Sequence, residues 1–220
     1  MIPLGVLAAS RYVAPPPDLP LTYSGEAAST GAGAKITYTD VPIGPPSAGR
    51  TLVIGVGLQT RAVGSILIGG VAATIVAAAN GSSPGSTRLV FAEVPYPTGS
   101  SADIDVTYSY YGGAGLRSAL FVCSSPTPVI LADSAGFGYY NPQDAVLTIN
   151  PGGPGVVLAM SGNTQSTTTQ VNWSLPVVYG STPIVTLAVG TATEETQVEA
   201  IPDVYQSQAG SLLAVAYRGA

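Results

Sequence analysis

The chain has 220 residues, a net charge of −5, seven basic side chains, one cysteine and no histidine. Without imidazole, Ser-His-Asp and Cys-His nucleophile activation are impossible within the chain, and the commonest zinc and iron ligand is missing; a lone Cys123 excludes an intrachain disulfide. The basic residues Arg11, Lys35, Arg50, Arg61, Arg88, Arg117 and Arg218 are scattered, so no cluster exists to neutralise phosphates and no nucleic-acid partner is expected.

Met1 to Pro20 carries Pro3 and the run Pro15-Pro16-Pro17, which favours an extended path with few backbone donors. It reads as an apolar N-terminal arm ahead of a folded region at 21–220. Ile2, Pro3, Leu4, Val6, Leu7 and Tyr12 are its candidate partner-binding residues. A signal peptide is not expected, because the start lacks a basic segment and carries Pro3. No apolar run approaches the ~20 residues of a membrane helix, so a soluble protein without a membrane partner is expected.

Gly31-Ala32-Gly33-Ala34-Lys35 superficially resembles a phosphate loop, but Ile36-Thr37-Tyr38-Thr39 follows as a strand where such a loop must open a helix. It reads as a connection between arm and domain. Period-2 segments then recur: Ile36 to Val41, Thr51 to Leu58, Ser65 to Ile68, Leu89 to Val94, Asp103 to Tyr110, Ser118 to Cys123, Val146 to Ile149, Val156 to Met160, Gln170 to Leu175, Ile184 to Val189 and Leu212 to Tyr217. Val71 to Ala79 is alanine-rich, yet Thr74, Ile75, Val76 and the hairpin signal Asn80-Gly81 favour a strand there too.

Between these segments stand turn formers: Gly69-Gly70, Asn80-Gly81, Pro97-Thr98-Gly99, Gly112-Gly113, Asn141-Pro142 and Pro151-Gly152-Gly153-Pro154. Strands at this spacing without helical patterns between them predict an all-β chain. The expected architecture is an antiparallel β-sandwich, jelly-roll or immunoglobulin-like. No internal repeat is evident, and one sandwich domain over 21–220 is the simpler partition.

Candidate chemistry is sparse. Asp103 and Asp105 share one strand face about 6.5 Å apart, within the roughly 5 to 9 Å that separates glycosidase carboxylates. Their alternation with Ile104 and Val106 marks an ordinary solvated face instead. Glu194, Glu195, Glu199 and Asp203 form the densest acidic stretch, which reads as a solvated loop because no Asp-x-Asp-x-Asp-Gly pattern accompanies it. Cys123, in Leu120-Phe121-Val122-Cys123, reads as a small buried hydrophobe, and Trp173 as core. No metal, cofactor or catalytic residue is expected. Twelve tyrosines against three phenylalanines and one tryptophan is a skewed set. Tyr108, Tyr110, Tyr111, Tyr139 and Tyr140 gather near two turns; Tyr111, Tyr139 and Tyr140 are candidate positions for a ligand or receptor face.

The ordered runs Arg50-Thr51-Leu52-Val53-Ile54-Gly55-Val56-Gly57, Ser65 to Thr74 with its IGGVAAT hairpin, Phe91-Ala92-Glu93-Val94-Pro95, and Thr98 to Tyr108 with its ADIDVTY strand resemble virion proteins of tailed phages and prophages. The start, Met1 to Ser10, is similar to the starts of such proteins, and Val156 to Ser161 extends the likeness into the last hundred residues. The resemblance implies a non-enzymatic β-sandwich of the assembled virion: a head decoration, head fibre, or tail or adaptor component. Implied partners are capsid, portal, adaptor or tail subunits and further copies of the chain. A receptor- or carbohydrate-binding module of a fibre or spike is the alternative, and a carboxylate glycosidase the third.

Overall fold

The computed structural model describes residues 21–31, 34–59, 62–81, 87–108, 116–139, 145–163, 171–181, 185–202 and 210–220. All regular structure among them is β-strand. The first half supplies β1 (Thr22–Gly31), β2 (Lys35–Pro42), β3 (Thr51–Gln59), β4 (Val63–Ile68), β5 (Val71–Ala72), β6 (Thr74–Asn80), β7 (Thr87–Pro95), β8 (Ser101–Tyr108) and β9 (Leu116–Ser125). The second half supplies β10 (Val129–Tyr139), β11 (Ala145–Ile149), β12 (Gly155–Asn163), β13 (Val171–Trp173), β14 (Val177–Ser181), β15 (Val185–Ala192), β16 (Thr196–Pro202) and β17 (Gly210–Gly219). Every ladder is antiparallel.

The strands make four sheets, in the orders β1-β9-β3-β7-β6, β2-β8-β4-β5, β10-β17-β12-β15-β14 and β11-β16-β13. In each half the first strand pairs with the last, the last with the third, and the third with the penultimate strand of the same sheet. That winding is the jelly-roll alternative of the expected sandwich. The second half repeats it except for β5, which has no counterpart in the three-stranded sheet: β10 stands where β1 does, β12 where β3 does, β17 where β9 does.

A single sandwich has two layers, and here there are four, stacked over three hydrophobic cores. Ile36, Ile66, Ile104 and Val106 of the β2-β8-β4-β5 sheet pack on Ile54, Val56, Ala92 and Val122 of the β1-β9-β3-β7-β6 sheet. Tyr38 adds a 2.5 Å hydroxyl hydrogen bond to Ser118 Oγ between the same two layers. The opposite face of the second layer, with Val53, Leu89, Phe91, Phe121 and Cys123, meets Val156, Leu158, Met160, Leu187, Val215 and Tyr217 of the third. The third layer's far face, rich in small residues such as Ala159, Ala188, Ala214 and Ala216, carries Leu147, Ile149 and Val198 of the fourth.

This layering explains two kinds of strand. Outer β8 alternates buried Ile104 and Val106 with wetter Asp103 and Asp105, as a strand with one solvated face must. Inner β3 is buried at every residue from Thr51 to Leu58, and β17 from Gly210 to Tyr217, because both faces of those strands meet a core.

Several expectations are corrected here. The Gly31–Lys35 segment joins β1 to β2, so it does not connect arm to domain. Glu199 belongs to β16, where it pairs with Val146, and is not part of a loop. The arm residues Ile2, Pro3, Leu4, Val6, Leu7 and Tyr12 lie outside the described residues.

Candidate functional site

The two halves meet through matching faces. In β1 the pair Tyr23–Cys123 is followed by a bulge and then Gly25–Val122; in β10 the pair Leu131–Tyr217 is followed by a bulge and then Asp133–Ala216. The bulges therefore match Cys123 with Tyr217, and the adjoining ladders match Val53 with Val156. All four residues lie in the central core, so each half presents the same face to the other about a local two-fold. The ends also coincide: a Cβ on Gly57, near the end of β3, would overlap Val185 at the start of β15, and one on Gly162, near the end of β12, would sit 2.5 Å from Thr87 Cγ2 at the start of β7.

Size is reciprocal across this interface. Gly55 and Gly57 of β3 match Leu158 and Met160 of β12 by count from Val53 and Val156. A Cβ on Gly55 would lie 2.6 Å from Met160 Sδ, so the glycines are holes that the second half fills.

The same register locates the tyrosines. Tyr108 closes β8 and is buried in the first core; Leu116, which opens β9, pairs with Gly31. Tyr139 closes β10 opposite Gly210, which also pairs with Asn163 of β12. The chain leaves Tyr108 and Tyr139 at the end of the stack marked by Gly57 and Gly162, so the connections 109–115 and 140–144 both start there. Tyr111 and Tyr140 lie outside the described residues, as does the side chain of Tyr139.

Asp103 and Asp105 are drawn into separate local contacts. Asp105 makes a 2.7 Å ion pair with Lys35 Nζ and accepts a 2.6 Å hydrogen bond from Thr37 Oγ1. The hydrogen bonds from Lys35 and Thr37 hold its carboxyl below the usual carboxylate range, the reverse of what a general acid requires. Asp103 Oδ1 accepts the Asp40 N–H at 2.9 Å, which steadies a non-glycine residue at φ 53°. Glu194 and Glu195 are exposed in the turn before β16, and among the described residues no group of His, Cys, Asp or Glu side chains is disposed to hold a metal. Burial pushes the Cys123 thiol up to about 12, consistent with an inert core residue.

Two buried polar features escaped the sequence reading. Arg50 is 1% exposed and accompanied by no carboxylate hydrogen-bond partner among the described residues. Its guanidinium donates to the carbonyls of Tyr96 at 2.5 Å, Gly44 at 2.8 Å, Gly99 at 2.9 Å and Thr98, and sits 5.8 Å from the Tyr96 ring centroid. One planar fork thereby fastens the β2–β3 turn to the β7–β8 turn. The second feature spans the two halves. Glu93 Oε2 of β7 and the Tyr217 hydroxyl of β17 are buried beside each other, and apart from each other neither has a hydrogen-bond partner among the described residues. Desolvation raises the Glu93 carboxyl; burial first, then the neighbouring Glu93, raise the Tyr217 phenol.

Neither the protein-family models nor the curated proteins give a match. Among solved structures the chain is similar to a protein of "The Triple Jelly Roll Fold and Turret Assembly in an Archaeal Virus", at 11% identity and a TM-score of 0.22, over 93% of this chain and 61% of that one. The chain thus spans less than two thirds of that protein's length. The jelly-roll assignment rests on this chain's own strand order.

Proposed function

We propose that the chain is a non-enzymatic structural protein of a tailed-phage virion, attached to the capsid, portal, adaptor or tail through its N-terminal arm and acting by surface contacts with other virion proteins and with further copies of itself. The observation that carries this reading is where the phage-like runs fall. Arg50–Gly57 leads into and fills β3, Ser65–Thr74 makes the β4–β5 hairpin, and Thr98–Tyr108 leads into β8, so the likeness follows the winding of one jelly roll. Jelly rolls recur in capsid and lectin domains, and that support is an analogy of fold.

Quantitative mass spectrometry of purified particles tests the reading. The chain is expected at a fixed copy number per particle, and a chain lacking Met1–Pro20 is expected to fold but to be lost from particles. Absence of the full chain from particles would overturn the virion role, and full occupancy by the truncated chain would overturn the anchoring role of the arm.

A receptor- or glycan-binding role is the second reading, favoured by Tyr108 and Tyr139, which close their strands at one end of the stack and are each followed by tyrosine-bearing sequence. Tyr111→Ala and Tyr139→Ala are then expected to reduce cell adsorption or glycan-array binding. Unchanged adsorption in both variants would remove that reading.

A further inference from the structure

We propose that Glu93 and Tyr217 form a proton-gated latch between the two halves: while the carboxyl is neutral the pair bridges the central core, and when it is ionised the joint around Cys123 loosens. The inference concerns the fold itself and stands independently of the virion reading.

The register places the latch near the linker at 126–128. In β7, Ala92 and Val94 face the first core, whereas Glu93 shares the face of Leu89 and Phe91, which meets the second half. Its row across the second layer runs Glu93, Val53, Cys123, Tyr23. The matching row of the third layer runs Thr191, Val156, Tyr217, Leu131. The mate of Glu93 is therefore Thr191, exposed and uncharged, so packing the two faces together does not by itself call for a carboxyl there.

Among the described residues no cation faces the carboxyl. The titratable groups turned to this part of the central core are Tyr23 of β1, Cys123 of β9 and Tyr217 of β17. β3, β10, β12 and β15 set aliphatic side chains against it, and β6 sets Val76, Ala77 and, level with Glu93, Thr74. Arg88 and Arg218 alternate onto the other faces of β7 and β17, Lys35 pairs with Asp105, and Arg50 holds turn carbonyls. Of the remaining acids, Glu26 pairs with Phe121 three strands from β7, and Asp133 of β10 pairs with Ala216, which faces the third core.

A neutral carboxyl in this place donates to the phenol oxygen, which satisfies both polar groups across the joint. The ionised form keeps the phenol as a donor but has no counter-charge, and its buried Oε2 then draws water in beside Cys123. Desolvation accordingly raises the carboxyl above its ordinary range, which moves the change toward neutral pH.

Cys123 is the built-in reporter: it is the chain's single cysteine and lies 2% exposed in the same row as Glu93. The test follows labelling of the full chain by dithiodipyridine between about pH 4 and about pH 8, with each rate divided by that of Glu93→Gln at the same pH so that the thiol's own ionisation cancels. The expected ratio is near one at the acid end and rises to about three- to five-fold at the basic end, with rates insensitive to urea below the unfolding transition, as local opening requires. Glu93→Met, which carries no proton, gives the same comparison should the glutamine variant fail to fold. A ratio that stays flat or rises toward acid would overturn the latch. So would labelling that climbs steeply from the first addition of urea, because Cys123 would then be reached by global unfolding alone.

Discussion

The first half, Thr22 to Ser125, and the second, Val129 to Gly219, wind the same jelly roll and meet through the same face, yet they reach it with unlike residues. Where the first half has Gly55 and Gly57, the second has Leu158 and Met160; where the first has Cys123, the second has Tyr217. Two identical faces would clash at bulky positions or leave voids at small ones. Divergence into knob and hole lets one body fill its central layer at interior density.

The turns that lead into the matched strands β3 and β12 differ in the same spirit. The first half fixes its turn with the Arg50 fork; the second enters β12 from Pro151-Gly152-Gly153-Pro154, with Gly152 at φ 67° and Gly153 at φ 148°. A guanidinium that binds carbonyls holds one turn; in the other, left-handed glycines are joined by side-chain oxygens that accept backbone N–H groups, Asp133 from Asn150 and Asn150 from Gly152, each at 2.8 Å.

Breaking the Arg50 fork is the sharpest way to separate the halves. Arg50→Met is expected to destabilise the chain by about 4 kcal/mol, because several carbonyls lose a charged donor at once, with Arg50→Lys recovering less than half. Denaturant unfolding of both variants measures this; a loss under about 1 kcal/mol would show that water replaces the fork.

Next comes the knob-and-hole contact. Gly57→Val forces branched bulk toward Val185 and is expected to cost about 3 kcal/mol, of which Val185→Ala in the same chain restores about half. Additive effects in that double-mutant cycle would mean the two sheets do not touch there.

A smaller effect tests the carboxyl across the central layer. A carboxyl raised in the folded state leaves stability undiminished below the unfolded value near 4.5 and erodes it as pH rises through the folded value. Glu93→Gln is therefore expected to raise the midpoint at pH 7 and flatten its pH dependence, by less than about 1 kcal/mol because part of the group meets water. A lowered midpoint would reverse the assignment. Smallest is Lys35→Ala, expected within about 0.5 kcal/mol because its pair with Asp105 is exposed. Asp105 has the opposite sign, so its contribution is present above 3.8 and fades as pH falls through the lower folded value.

Most strands were legible in the sequence, the inner β3, β7, β9, β12, β15 and β17 as well as the outer β2, β4, β8 and β11. β8 announces itself by alternation, and its predicted span Asp103 to Tyr110 overlaps the observed Ser101–Tyr108 closely. β1 was missed because TYSGEAASTG offers Gly and Ser where a strand signal needs branched or aromatic residues; its ladder with β9 holds it in place. β10 was missed because Asp133, Gly136 and Gly138 interrupt its apolar pattern. β16 did carry a signal, Val198 and Ala200 alternating with Gln197 and Glu199, overshadowed by the acidic character of the stretch.

The repetition of the winding was invisible for a physical reason. Complementary faces select for difference at matched positions, so Gly57 aligns with Met160 and no sequence repeat survives. The Arg50 fork left no trace either, since its acceptors are backbone carbonyls that any residues provide. The tyrosine-rich stretches were readable as composition, while the placement of Tyr108 and Tyr139 at one end required the ladders.

Hydrogen exchange of the full chain, followed by mass spectrometry through mild denaturant, bears most directly on the shared interior. If the central core joins the four layers into one cooperative unit, the amides of β3, β12 and β17 exchange only with global unfolding and at one common free energy. Protection of β3 that persists while β12 and β17 open would show two independent sandwiches and contradict the account.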